Sequence, residues 1–152
     1  MELRLEEYRP AQLKELVLMW RESFELGVGI KDPHPIEDQE KYFLEKVATP
    51  EYTVRVAMLD GALVGFVAAS PDSITQLFVR KGFHRRGIGS RFVEWAKAHS
   101  GGSLWLYTFA QNSGARRFYE HHGFVATAFG HEPSWDLDDV RYEWKASDAD
   151  SR

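Results

Sequence analysis

The stretch FHRRGIGS, residues 83–90, places two arginines beside two glycines that flank an isoleucine. It follows the apolar run SITQLFV (73–79) and precedes a segment with Phe92, Trp95 and Ala96 at helical spacing. Glycine costs conformational entropy unless the backbone must turn sharply or approach something closely. Adjacent cations repel unless an anion lies near them. A strand, a glycine loop and a helix in succession present free backbone N–H groups and a positive dipole end to such an anion. This corner restricts the chain to folds in which a strand feeds directly into a helix.

Two common phosphate loops are excluded at once. Gly82 and Gly87 have the spacing of a phosphate-loop NTPase, but Ile88-Gly89 stands where lysine and a magnesium-binding hydroxyl are required. A dinucleotide fingerprint needs a third glycine, and Phe92 fills that place. On these residues alone, a tight turn with a solvated arginine pair is the better account of the pattern.

Around the corner the period of the apolar residues changes twice. Leu3 and Leu5 alternate with polar residues as a short first strand, and Pro10 stands where a helix can begin, with Leu13, Leu16, Val17 and Trp20 behind it. GVGIKDPHP reads as loop. IEDQEKYFLEKVA reads as a second helix, apolar at Ile36, Phe43, Leu44 and Val47. Val54, Val56 and Met58 then alternate as a strand, Asp60-Gly61 marks a hairpin, and ALVGFVAAS returns as a central strand before SITQLFV. The helix from Ile88 ends at Gly101-Gly102, SLWLYTF is a strand, and NSGARRFYEHHG is a helix capped by Asn112 and stopped by Gly123. FVATAF and VRYEWK close the chain as strands. The order predicts an α/β fold with a mixed, mostly antiparallel sheet in one domain, residues 1–146, followed by a flexible polar tail, 147–152.

Composition narrows the function classes. A net charge of −4 over 152 residues argues against a general nucleic-acid binder. With no cysteine there is no disulfide framework, no thiolate zinc site and no cysteine nucleophile. The six histidines show no metal-ligand spacing. The acidic start and the lack of a long apolar run predict neither a signal peptide nor a membrane span, and point to the cytoplasm.

The second motif raises the odds on the first. His84-Arg85-Arg86-Gly87-Ile88-Gly89 and, further on, Asn112, Ala115, Phe118, Tyr119, Gly123 and Phe124 together resemble the two motifs of the GNAT superfamily of acyl-CoA-dependent N-acyltransferases. The usual form is Q/R-x-x-G-x-G/A, then N-x-x-A-x-x-F-Y-x-x-x-G-F; His84 departs from the first. The ending from Trp135 to Trp144 is similar to that of small bacterial members.

The resemblance implies helices on both faces of the sheet and a fourth and fifth strand that splay apart. It implies acetyl-CoA as co-substrate, with its pyrophosphate on the amides from Arg85 to Ser90 and its pantetheine arm along Leu77, Phe78 and Val79. Glycines at 87 and 89 would let the phosphates reach the amides. Asn112 would touch the arm, and equally caps a helix. Tyr119 would protonate the departing sulfur, and equally fits a core stripe. With no cysteine, direct attack by the amine in a ternary complex is expected. Gln76 cannot accept a proton. Glu22, Glu25, His34 and Glu132 remain candidate bases, as does water.

The acceptor is expected between the first two helices and a late loop, HEPSWDLDD. Their aromatics are Trp20, Phe24, Tyr42, Phe43 and Trp135, of which Trp20 and Phe43 read first as ordinary helix packing; the acidic rim is Glu22, Glu25, Asp32, Glu132, Asp136, Asp138 and Asp139, and Arg21 and Lys31 are the nearby cations. That combination suits a small basic amine or a peptide amine, with self-association as a homodimer left open. A silent acyl-CoA sensor on the same fold, or an unrelated phosphate-binding domain, would be the competing functions.

Overall fold

A computed structural model describes residues 2–147. The expected tail therefore lies, apart from Ser147, outside the described residues. Strand β1 (Leu3–Glu7) leads through a 3₁₀ turn, Pro10–Gln12, into helix α1 (Leu13–Val28). Helix α2 (Ile36–Tyr42) continues into a π turn, Phe43–Val47. Strands β2 (Thr53–Leu59), β3 (Ala62–Ala69) and β4 (Ile74–Val79) follow, then α3 (Ile88–Ala98), β5 (Ser103–Phe109), α4 (Ser113–His121), β6 (Val125–Glu132) and β7 (Leu137–Lys145).

Strands β1 to β4 form one antiparallel sheet in chain order, while β7 inserts between β5 and β6 in a second. The two halves meet where β4 and β5 begin. A parallel bridge joins Ser73 to Trp105, and the Trp105 amide donates to the Asp72 carbonyl at 3.0 Å. Beyond that point the strands part, leaving the far edge of β4 open. Helices cover both faces. Leu16, Val17 and Trp20 of α1, with Phe43 and Val47, pack on Val54, Val56, Leu63 and Phe66. Ile88, Phe92 and Val93 of α3 and Tyr119 of α4 close the opposite core over Val64, Val67, Leu104, Val140 and Tyr142. The mixed α/β architecture is as expected.

Three local expectations need correction. Gly27 and Val28 are helical, and α1 stops at Gly29, whose φ of +82° is the left-handed cap glycine accepts without a Cβ penalty. The second helix does not run through as an α-helix. The Ala48 amide reaches the Phe43 carbonyl at 2.8 Å, and in this wider turn Phe43 and Val47 are buried while Leu44 is 50% exposed. The late acidic loop is also shorter than expected. Strand pairing runs out to Glu132 and back from Leu137, so only residues 133–136 turn, with Asp136 at a φ of +54°.

Candidate active site

The parting of β4 and β5 opens a cavity of about 650 Å³. Its β4 wall runs from Ile74 to Phe78, its β5 wall from Tyr107 to Phe109, and Asn112, Ala115 and Tyr119 close it from α4. Register fixes what the β4 wall offers. The Arg80 amide donates to the Val64 carbonyl at 2.8 Å, and Phe78 faces Phe66 in the same register. Antiparallel pairing alternates, so Leu77 and Val79 turn their N–H and C=O groups away from β3, toward the open edge. The Val79 carbonyl is already engaged, accepting from the buried Ser23 hydroxyl at 3.0 Å. A bulge at Thr75, between the Ala68–Gln76 and Ala69–Ile74 pairs, re-aims the backbone at the head of the cavity.

The glycine corner continues from the other end of β4, and none of residues 84–90 lines the cavity. His84, Arg85, Arg86 and Gly87 are exposed; Arg85 has a φ of +66°, and the Arg86 guanidinium lies 5.1 Å from the Phe83 ring centre. Gly87 is the N-cap of α3 at a φ of +78°, with no side-chain cap. Nothing lies within 4 Å of where its Cβ would be, so the backbone angle is what requires glycine there. Helical bonding starts with the Arg91 amide on the Gly87 carbonyl, at 3.0 Å. The amides of Ile88, Gly89 and Ser90 precede it as the unpaired donors of a helix start. The Ile88 side chain is core.

Gly89 differs from the expectation. A Cβ there would stand 3.0 Å from two carbons of the Phe118 ring, so its side is turned to α4. Close helix–helix approach is the reason for this glycine. Ser90 is tied to the same helix, with its hydroxyl 3.0 Å from Nε2 of His122. Burial and the nearby Lys97 hold His122 below the usual imidazole range.

Asn112 caps α4 by accepting from the Ala115 amide at 3.1 Å while also facing the cavity. Gly27 of α1 packs against it: a Cβ at Gly27 would come within 2.8 Å of the Asn112 Nδ2. Gln111 next to it donates to the Val28 carbonyl, at 2.6 Å. Tyr119 is 7% exposed among Phe118, Phe124 and Tyr142, and reaches the cavity wall. Burial pushes its phenol well above the usual tyrosine range, so the group remains O–H.

The acceptor side gathers what the sequence scatters. Phe24, Tyr42 and Trp135 line the cavity, as does Trp20 although it is also buried, and Phe43 is core, as its packing reading had it. Of the expected rim acids, Asp32, Glu132 and Asp139 line it, and Asp38, unforeseen, joins them. Glu22 lies on the exposed side of α1 and does not line it. Glu25 is occupied by the Asp32 amide at 2.7 Å and Lys31 at 3.7 Å. Asp136 and Asp138 grip His131 instead, each at 2.9 Å. Glu132 accepts from the Ser134 hydroxyl and the Trp135 amide, bonds that hold its carboxyl below the usual range. His34 also lines the cavity. Among the described residues no lysine or arginine does, and Arg21 is turned onto Asp32 at 3.5 Å.

The open β4 edge and the glycine-started helix lie in a chain whose class is that of an acyltransferase. The chain belongs to the acetyltransferase (GNAT) family, whose family model matches residues 13–124. It is 30% identical to an uncharacterized N-acetyltransferase in the pepI 3′ region of Lactobacillus delbrueckii subsp. lactis, over 74% of this chain and 79% of that one. The fold is also that of apo YjaB from Escherichia coli (22% identity, TM-score 0.77, covering 97% and 100% of the two chains). PaiA N-acetyltransferase from Thermoplasma acidophilum, solved in complex with coenzyme A, matches likewise (19% identity, TM-score 0.72, 95% and 99%). No helix among the described residues is long and apolar enough to cross a membrane.

Proposed function

We propose that this acetyltransferase moves the acetyl group of acetyl-CoA to a primary amine that is cationic and carries an apolar body, by direct attack in a ternary complex. The observation that carries the reading is the charge of the cavity wall. Asp32, Asp38, Glu132 and Asp139 line it with aromatic side chains, and among the described residues no lysine or arginine does. Such a wall attracts an ammonium and disfavours an acidic amine.

On this reading the cofactor's pyrophosphate lies on the amides of Ile88 to Ser90, with Arg85 and Arg86 near in charge. Its pantetheine arm runs along Leu77 to Val79, pairing with the outward groups of Leu77 and the Val79 amide as an added strand does. The Val79 carbonyl stays with Ser23. The thioester then reaches the bulge at Thr75, where Asn112 and Tyr119 face the same space. Tyr119 donates its proton to the leaving sulfur; a binder with no chemistry to perform has no use for an acid there. That favours a catalyst over a silent acyl-CoA sensor. Release of free thiol from acetyl-CoA across a panel of amines is the direct test. Basic aromatic amines should turn over, and glutamate should not. The reading fails if acetyl-CoA binds and no amine releases thiol.

A further inference from the structure

An ammonium must lose a proton before its nitrogen can attack a thioester. Tyr119 cannot take it, being held as O–H by burial, and Gln76 on β4 is an amide. The carboxylates and imidazole that line the cavity are Asp32, Asp38, Glu132, Asp139 and His34, beside the phenols of Tyr42 and Tyr107. Glu132 spends one oxygen on Ser134 and Trp135. Asp32 is already engaged by two hydrogen bonds and an ion pair. Its Oδ1 takes the His34 amide at 2.9 Å and the His34 Nδ1 at 2.7 Å, and its Oδ2 lies 3.5 Å from Arg21.

That arrangement prepares His34. With Nδ1–H donated to Asp32, the second ring nitrogen, Nε2, carries the free lone pair. The Asp32 side chain is only 7% exposed and held from two helices. Its own amide donates to Glu25 of α1 at 2.7 Å, and its partner Arg21 donates from Nε to Gln39 of α2 at 2.9 Å. The His34 ring stands edge-on to Trp135, 5.3 Å between centres, and Trp135 is packed on Phe24 at 4.9 Å. A carboxylate orienting an imidazole against an aromatic wall, inside the cavity that holds Tyr119, is the arrangement of an oriented base. The charged groups around it are Arg21, Glu25 and Lys31, Asp38 of α2, Glu132 of β6 and Asp139 of β7.

We propose that His34 is the base that deprotonates the acceptor, and that Asp32 is its positioning residue; the proposal rests on acyl transfer taking place in this cavity. The ammonium gives one proton to His34 Nε2. The amine nitrogen forms the new bond to the acetyl carbon, and the C–S bond breaks with its electron pair on sulfur. Tyr119 protonates the sulfur and is restored by the second proton of the nitrogen. His34, whose side chain is 55% exposed, releases its proton to water. The products are the amide, the free thiol and one proton.

The experiment compares the parent, His34→Gln and Asp32→Asn on two acceptors, benzylamine and aniline, the first charged and the second neutral near pH 7. For benzylamine, kcat/KM of His34→Gln should fall by roughly 10²-fold and lose the parent's acid limb in its pH profile. For aniline the loss should stay within about fivefold, since no proton need be removed before attack. Asp32→Asn should shift the benzylamine acid limb, and imidazole should restore part of the rate to His34→Ala. Unchanged protection from heat by acetyl-CoA in each variant shows an intact fold. Equal losses on both amines, or an unaltered acid limb, would overturn the role of His34. A parent that binds acetyl-CoA and releases thiol with no amine of the panel would overturn the acyl-transfer reading itself.

Discussion

Gly89 in α3 and the Phe118 ring in α4 are so close that a Cβ on the glycine would lie 3.0 Å from two ring carbons. The two helices that present the family's two motifs are therefore in contact through a missing side chain. Gly89→Ala should cost about 1–3 kcal/mol of stability, as overpacking does, and Gly89→Val more. Gly87→Ala meets open space and pays only for its φ of +78°, about 1–2 kcal/mol. Thermal unfolding of each variant, with and without acetyl-CoA, separates the effects. Pairing Gly89→Ala with Phe118→Leu should recover much of the loss. No recovery in the pair would mean that Phe118 is not what the glycine accommodates.

Tyr119→Phe removes one oxygen and keeps the ring among Phe118, Phe124 and Tyr142. Turnover should fall by roughly 10²–10⁴-fold while acetyl-CoA binding and neutral-pH stability stay near the parent. The pH dependence has a defined sign. A phenol raised by burial binds its proton more tightly in the folded state, so its effect is absent below about pH 10 and destabilising above it. The Phe variant should therefore resist alkaline unfolding better than the parent. Turnover within a few-fold of the parent would place the acid elsewhere.

These two residues also show how far a single sequence reaches. Tyr119 and the strand–glycine–helix corner are local patterns, and the order of elements follows from period and turn residues. The reason for Gly89 is not local, because Phe118 lies on another helix. Nor is that for Gly27, which reads as loop in sequence yet sits in α1 so that Asn112 can approach. Strand order is equally hidden: nothing periodic in VRYEWK says that β7 will part β5 from β6. The clamp of Arg21, Asp32, His34 and Gln39 joins α1, the loop after it and α2 through two side-chain hydrogen bonds and an ion pair, which leave no repeat to detect. Ordinary-looking acids became distinguishable only by what each one touches.

His131 offers a test of the β6–β7 turn that carries Trp135. Nδ1 lies 2.9 Å from Asp138 and Nε2 2.9 Å from Asp136, and both nitrogens can donate only in the imidazolium. Hydrogen bonds to Asp138 and then Asp136 raise its titration above the usual imidazole range. The stabilisation is fully present below about pH 6.5, the unfolded value, and is lost as pH rises through the higher folded one. The site is exposed, so the effect on unfolding should be small, while an NMR titration should show the shift directly. Asp138→Asn should move the His131 midpoint down. A midpoint at or below that of a free histidine would contradict the bridged geometry.

The acceptor preference makes a prediction that depends on salt. Asp38, Glu132 and Asp139 line the cavity with Asp32, and among the described residues Asp32 is the one of the four paired with an arginine. A cationic amine approaching them gains long-range attraction, which ions screen within about 8–10 Å at physiological strength. The acceptor KM for a basic amine should therefore rise with added salt, while that for neutral aniline stays flat. Asp38→Asn and Asp139→Asn should each raise the basic amine's KM and weaken its salt dependence, leaving kcat close to the parent. A single charge in this open mouth contributes little, so the double variant should show the trend more clearly than either single one. The measurement is a set of initial rates at several salt concentrations, with acetyl-CoA saturating. Identical salt dependence for charged and neutral amines would mean that these carboxylates only solvate the mouth, and that selection rests on Trp20, Phe24, Tyr42 and Trp135.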